Sequence, residues 1–253
     1  MSSFLCFWLH GPMCSWGDTA VGEVRPSRGH PGKSAVLGLV AGALGIERFD
    51  QAGHDALHQG LALAVLVAAP GLPLVDFHTV EPPRRRKGVS YATRRDEVLA
   101  LDERDNPIVS QRHYYCDAHY AVALWRRPQA SCAPLTEMAQ ALEQPVFVPY
   151  LGRKSCPLSL PMNPLLVEAE DVSQALLEYL AQTQVAFRKH GLGPKIGLGP
   201  LSLLSDDEEA ILRPSEGDQV FTSRDANPQH KRWQFGLRRE RRRSLAWSGL
   251  KEE

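Results

Sequence analysis

The order of apolar and amphipathic segments predicts an α+β protein close to βαββαβ, the ferredoxin-like (RRM-like) arrangement whose sheet often binds RNA. Three observations carry that expectation. Residues 4–9 and 61–69 are short, nearly continuous apolar runs, and residues 114–125 place an apolar or aromatic residue at every second position. These read as core strands, the first two buried on both faces. Helix-like segments at 35–44 and 134–144 fall between them. A charged stretch at 76–113, poor in apolar residues, separates the second strand from the third and reads as an inserted arm, a β-hairpin projecting from the core.

Taken in order, the first strand ends at Gly11-Pro12, and a loop with one large aromatic, Trp16, follows. Residues 25–34 (RPSRGHPGKS) form a loop rich in Gly, Pro and cations, and Ser34 reads as the N-cap of a helix over 35–44 closed by Gly45. Gly38 and Gly42 give that helix a small-residue stripe that lets it lie close to a sheet. Residues 51–60 read as a short helix, and Pro70-Gly71 closes the strand at 61–69. Within the arm, Asp105-Asn106-Pro107 marks a turn and 108–112 the returning strand. Leu135, Met138 and Leu142 share one stripe of the helix at 134–144; Val172, Leu176, Leu177 and Leu180 mark another helix over 172–182. Residues 191–199 read as a glycine-rich flexible loop and 205–209 as an acidic patch. Residues 219–223 are a last strand, and 240–253 a basic tail that frays.

Composition sets bounds on function. With 253 residues, 43% of them hydrophobic, the chain can bury one large domain, or one domain with an elaborate insertion. Lys plus Arg and Asp plus Glu each number 29, so net charge does not point to nucleic acid. Cations nevertheless cluster at 84–87, at Arg94-Arg95 and at 238–243, compatible with one basic face, although such runs are more often solvated loops. The five cysteines form no CxxC and no zinc-finger spacing with histidine, which fits reduced thiols in a soluble cytoplasmic protein. The apolar runs are too short for a signal peptide or for the roughly 20 residues of a membrane span. Gly32-Lys33-Ser34 resembles the end of a phosphate loop, but Ser27 stands where that loop needs its first glycine. His54 and His58 lie one helical turn apart, yet Asp55 replaces the glutamate of a zincin and no third ligand follows. No metal and no cofactor are expected.

The chemically densest stretch is 148–157, VPYLGRKSCP. Prolines at both ends keep it out of helix, and Gly152 permits a tight turn and a close approach. Tyr150, Gly152, Arg153 and Lys154 put an aromatic face and two cations within five residues. That combination suits a nucleic-acid backbone and its bases. The alternative is a surface turn with solvated charges.

Several segments together resemble one family, the RAMP-type CRISPR-associated subunit of type I-E Cascade (the CasD family). They are 9–17 (LHGPMCSWG), 25–46, Phe77-His78-Thr79-Val80, 112–118 (RHYYCDA) and 149–158 (PYLGRKSCPL), in the family's order. Arg224-Asp225 and Pro228 resemble its Arg-Asp-x-Pro element with one extra residue, and Phe235 with Arg238 or Arg239 resembles its closing strand. Residues 183–218 and the Arg-rich tail after Arg239 depart from the pattern.

The resemblance implies a RAMP palm of ferredoxin-like fold (1–76 and 114–253) carrying an inserted β-hairpin thumb (77–113). It implies a non-catalytic subunit that grips the 5′ handle of CRISPR RNA and caps the backbone filament of the Cascade surveillance complex in antiviral defence. Its neighbours would be the CasC backbone subunit and the large CasA subunit, with target DNA met only through the complex. RNA would meet Gly11, Trp16, Arg25, Arg28, Lys33 and Ser34 in the N-terminal loops. It would meet His78 and Arg112 on the arm, and Tyr150, Leu151, Gly152, Arg153 and Lys154 in the turn. Arg112, at the base of the arm, would clamp the bend between handle and guide. The alternative function is a metal-independent endoribonuclease that processes CRISPR repeat RNA, as in the related type I-C subunit. For that chemistry His30, His78, His113, Tyr114 and Lys33 offer the residue types.

Overall fold

The structure is a computed structural model that describes residues 1–83, 87–102, 105–189, 196, 199–206, 215–229 and 234–247. The chain begins with β1 (Ser2–His10) and the short strands β2 (Met13–Cys14), β3 (Trp16–Gly17), β4 (Val24–Arg25) and β5 (Ser27–Arg28). Then come α1 (Lys33–Ala43), α2 (Gln51–Gly60), β6 (Leu61–Ala69), β7 (Leu72–Val80) and α3 (Arg94–Leu99). β8 (Ile108–Cys116), β9 (His119–Arg126), α4 (Leu135–Glu143), β10 (Leu165–Ala169) and α5 (Val172–Lys189) follow. β11 (Gly199–Asp206), β12 (Gln219–Gln229) and β13 (Gln234–Trp247) complete the chain.

A seven-stranded sheet in the order β10-β1-β9-β6-β11-β13-β12 forms the body, and every neighbouring pair is antiparallel. Its middle strands bury both faces, which is why their sequences are continuous apolar runs. Leu5, Phe7, Leu9, Leu63 and Val65 point toward α1, α2 and α4. Phe4, Cys6, Trp8, Ala62, Ala64 and Leu66 point the other way, into a cluster with α5.

The arm is a second, smaller sheet. β7 pairs with β8 along its whole length, from Leu72↔Cys116 to Val80↔Ile108, and β8 also pairs with β2 and with β4. The paired arm therefore spans 72–116, wider than the 77–113 read from composition. The alternating run at 114–125 is not one strand. It breaks at Asp117, whose φ is +54°, so that residues before it stay in the arm and residues after it join the body. The other crossing, from β6 to β7, turns at Gly71 with φ +71°. A Cβ on Gly71 would lie 2.5 Å from the carbonyl oxygen of Cys116 and 2.8 Å from the Ala118 Cβ, so the two crossings pack against each other.

Other local expectations need correction. Ser34 is not the cap of α1: the helix starts at Lys33 with Gly32 as N-cap and no side-chain cap of its own. The orphan Lys33 amide donates instead to Asp225, 192 residues away, at 2.6 Å. The helix expected over 172–182 runs on to Lys189. The tail expected to fray from 240 is ordered as β13 through Trp247, because β11 and β12 flank it, Arg241 and Arg243 reach Asp218, and Leu245 and Trp247 pack toward α5. Residues 248–253 lie outside the described residues, as do 84–86 of the cationic run on the arm. Of the acidic patch, Ser205 and Asp206 end β11 and are buried, and 207–209 lie outside the described residues. Of the glycine-rich loop at 191–199, only Ile196, which is buried, and Gly199, which opens β11, are described. Among the described residues no helix is long and apolar enough to cross a membrane. All five cysteines are free.

Candidate nucleic-acid interface

The turn at 148–157 is built onto the N-terminal loops. It closes on itself through a Tyr150↔Pro157 bridge and through hydrogen bonds from the Leu151 amide to Cys156 O (2.8 Å) and from the Cys156 amide to Arg153 O (2.8 Å). Leu151 and Cys156 plug into the core, and the Ser15 amide donates to Leu151 O at 3.1 Å. Gly152, at φ +82°, presses so close to the Ser15 carbonyl that a Cβ would collide with it. Gly11 is buried against the Pro157 carbonyl in the same way. These glycines permit backbone contact between two segments.

Arg153 ties the turn to the arm. Its guanidinium lies over the Tyr114 ring, 4.6 Å from the centroid, and its Nη2 donates to Arg25 O at 3.3 Å. The strand register then aligns the remaining cations. Arg25 on β4 is the partner of Arg112 on β8, and Arg112 is the partner of Asp76 on β7. His78, opposite Ser110, lies two residues along on the same face of the arm. Arg112 Nε donates to Ser110 Oγ at 3.4 Å, and Arg25 Nη1 donates to Gly22 O at 2.6 Å. Arg25, Arg112 and His78 thus form one face, with Arg153 and Tyr114 at its root. Tyr150, 41% exposed, and the exposed Lys154 stand on the turn beside them. Asp76 is the residue that sequence reasoning missed here, a carboxylate set into a row of cations.

Other expected RNA contacts are turned inward. Trp16 is 2% exposed and packs edge-on against Tyr120, so its ring is closed to a base. Leu151 is equally buried. Ser34 is half-buried in the first turn of α1. Lys33 is buried, and its Nζ binds Asp206 at 2.6 Å. Burial lowers the pKa of this ammonium, opposed by the charge of Asp206. Arg28 is half-buried between Asp18 (3.3 Å) and Asp225 (3.9 Å). The carboxylates of this cluster, Asp206, Asp225 and Glu240, converge on Arg238. Burial works to raise the Asp225 carboxyl, but Arg238 beside it brings the pKa below the ordinary value. Arg238 had stood out in the sequence as part of a cation run and of a closing strand, not as the centre of a carboxylate cluster.

The family described as CRISPR-associated protein (Cas_Cas5) matches residues 4–241. The CRISPR system Cascade subunit CasD of Escherichia coli (strain K12) is 34% identical over 189 residues, 71% of this chain and 78% of that protein. A solved structure described as a CRISPR RNA-guided surveillance complex has a TM-score of 0.64 at 23% identity, covering 96% of this chain and 90% of that one. Another, described as the crystal structure of a Cas protein, has a TM-score of 0.61 at 26% identity, covering 96% and 95%. At 23% identity the first of these likenesses speaks for the fold alone.

Proposed function

This chain belongs to the CRISPR-associated Cas5 family, and from that premise we propose that it is a structural, RNA-gripping subunit of a Cascade-type CRISPR surveillance complex in antiviral defence. The observation that carries the reading is the shared face of Arg25, Arg112 and His78, joined through Arg153 and Tyr114 to the exposed Tyr150 and Lys154. Guanidinium groups pair with phosphates, and an exposed ring accepts a splayed base. The ligand is the 5′ handle of CRISPR RNA, bent across the base of the arm. In this reading the strands β10, β1, β9 and β6 are the ferredoxin-like palm and the β7–β8 arm is the thumb. CasC and CasA subunits are the neighbours, and target DNA is met through them.

The same placement supports a non-catalytic role. Of the residue types that would supply metal-independent nuclease chemistry, Lys33 is withdrawn from the face, its ammonium bound inside by Asp206. The test is co-expression of a tagged chain with its genomic CRISPR neighbours and a CRISPR array. The chain should retain RNA that begins with the repeat-derived handle, together with the neighbouring subunits. Recovery of the folded chain with neither overturns the reading. Pure protein incubated with repeat RNA in chelator should yield no defined cut; a cut that disappears in His78→Ala would establish the nuclease instead.

A further inference from the structure

The loop after β4 leaves the cationic face at Arg25 and enters α1 at Lys33. On its far side it meets charges from the other end of the chain. Arg238, on β13, donates to Asp225 at 2.7 and 3.1 Å, to Asp206 at 3.0 Å and to Glu240 at 2.7 Å. Each carboxylate then turns back to the loop. Asp225 accepts from the Lys33 amide at 2.6 Å and stands 3.9 Å from Arg28. Asp206 accepts from Lys33 Nζ at 2.6 Å and lies 3.6 Å from Arg127. Glu240 stands 3.9 Å from His30 Nε2 and accepts from Ser223 Oγ at 3.0 Å. The three carboxylate side chains are 6% exposed and Arg238 is 10% exposed, so little water screens the cluster.

We propose that Arg238 is a positioning residue for RNA binding: through Asp206, Asp225 and Glu240 it holds the loop 25–33, and with it Arg25, in the geometry the RNA phosphates meet. The inference rests on the RNA-gripping reading and adds to it a dependence on the C-terminal hairpin. Arginine is required because one planar fork of five N–H donors serves three carboxylates at once; lysine would supply a point charge without the fork. Without Arg238, the like charges of Asp206 on β11 and of Asp225 and Glu240 on the hairpin would repel one another in a buried site, displacing the carboxylates that hold the loop.

The test uses the full chain with Arg238→Met, Arg238→Lys and Asp225→Asn, and a labelled single-stranded RNA of the repeat sequence. Affinity is measured over a range of salt concentrations, at a temperature where circular dichroism shows each variant folded. With a displaced loop losing one charged contact to a phosphate in the complex itself, Arg238→Met should bind about tenfold more weakly. The decisive readout is the salt slope, which should become shallower by about 0.7 for each phosphate that the protein no longer neutralises. A variant that is only less folded binds less at an unchanged slope. Arg238→Lys should fall between wild type and Arg238→Met, and Asp225→Asn should reproduce the shallower slope. Should Arg238→Met fail to fold, the other two variants decide by the same slope. Unchanged affinity, or reduced affinity with the wild-type slope, overturns the positioning role alone. A wild-type chain that binds no RNA overturns the RNA reading and the inference with it.

Discussion

The arm and the C-terminal hairpin both cluster arginines, across the β4–β8 ladder in the first and along β13 in the second, and they use them in opposite ways. On the arm, Arg25 and Arg112 are neighbours, and the one carboxylate in their row is Asp76. On the hairpin, Arg238 is enclosed by Asp206, Asp225 and Glu240, while Arg241 and Arg243 share Asp218. The first arrangement keeps positive charge available to a polyanion. The second is neutralised within the protein and joins the two ends of the chain. A run of arginines in sequence therefore does not reveal which it is, because the deciding carboxylates are delivered by topology.

The contrast is open to direct test. Arg238→Met should lower the unfolding free energy by about 3–5 kcal/mol, the usual consequence of stranding buried charges. Arg112→Met, on the open face, should stay within about 0.5 kcal/mol. Urea unfolding of both variants measures the difference, and equal destabilisation would abolish the distinction between the regions. Next in size is Tyr150→Ala combined with Arg153→Ala, which should weaken RNA binding by about 1–3 kcal/mol while the circular dichroism stays native. Unaltered affinity would remove the turn from the interface.

A smaller effect concerns pH. Hydrogen bonds from Arg243 hold the Asp218 carboxyl at about 2, below its ordinary 3.8. A lowered folded-state pKa stabilises the protein above the ordinary value, and that contribution fades as pH falls from about 4 toward about 2. Asp218→Asn should therefore flatten the fall of the urea midpoint between pH 5 and pH 2.5; a midpoint that falls as steeply as in wild type would show the contact to be unimportant. The smallest expected change is in the stability of the body when the arm is cut short. Joining Val80 to Ile108 through an Asn-Gly turn keeps the ladder and removes its tip. The product should remain soluble with its unfolding midpoint unchanged, yet fail to join the backbone subunit in a pull-down. Aggregation of the shortened protein would mean that the tip belongs to the core.

What could be read in the sequence follows from how local its cause is. β1 and β6 were legible because burial on both faces leaves an unbroken apolar run. β13 stood out only through the resemblance and not by periodicity, since its inward positions include Arg238 and Glu240, which satisfy each other. The break at Asp117 hid inside an alternation that continues across it from Cys116 to Ala118. At the site, Tyr150, Arg153 and Lys154 stood out because they are adjacent in the chain. Lys33 looked equally available, and only the fold brings it Asp206 from 173 residues away.

Gly71 and Asp117 give the arm its bearing. The passages from β6 to β7 and from β8 to β9 turn through left-handed backbone, and the Gly71 turn rests on Cys116 and Ala118, either side of Asp117. The arm is therefore cantilevered from the body at a fixed angle and is not a swinging tether. A subunit that docks on it meets a surface already aimed, so little orientational entropy remains to be lost on docking. Successive assemblies would repeat the same geometry.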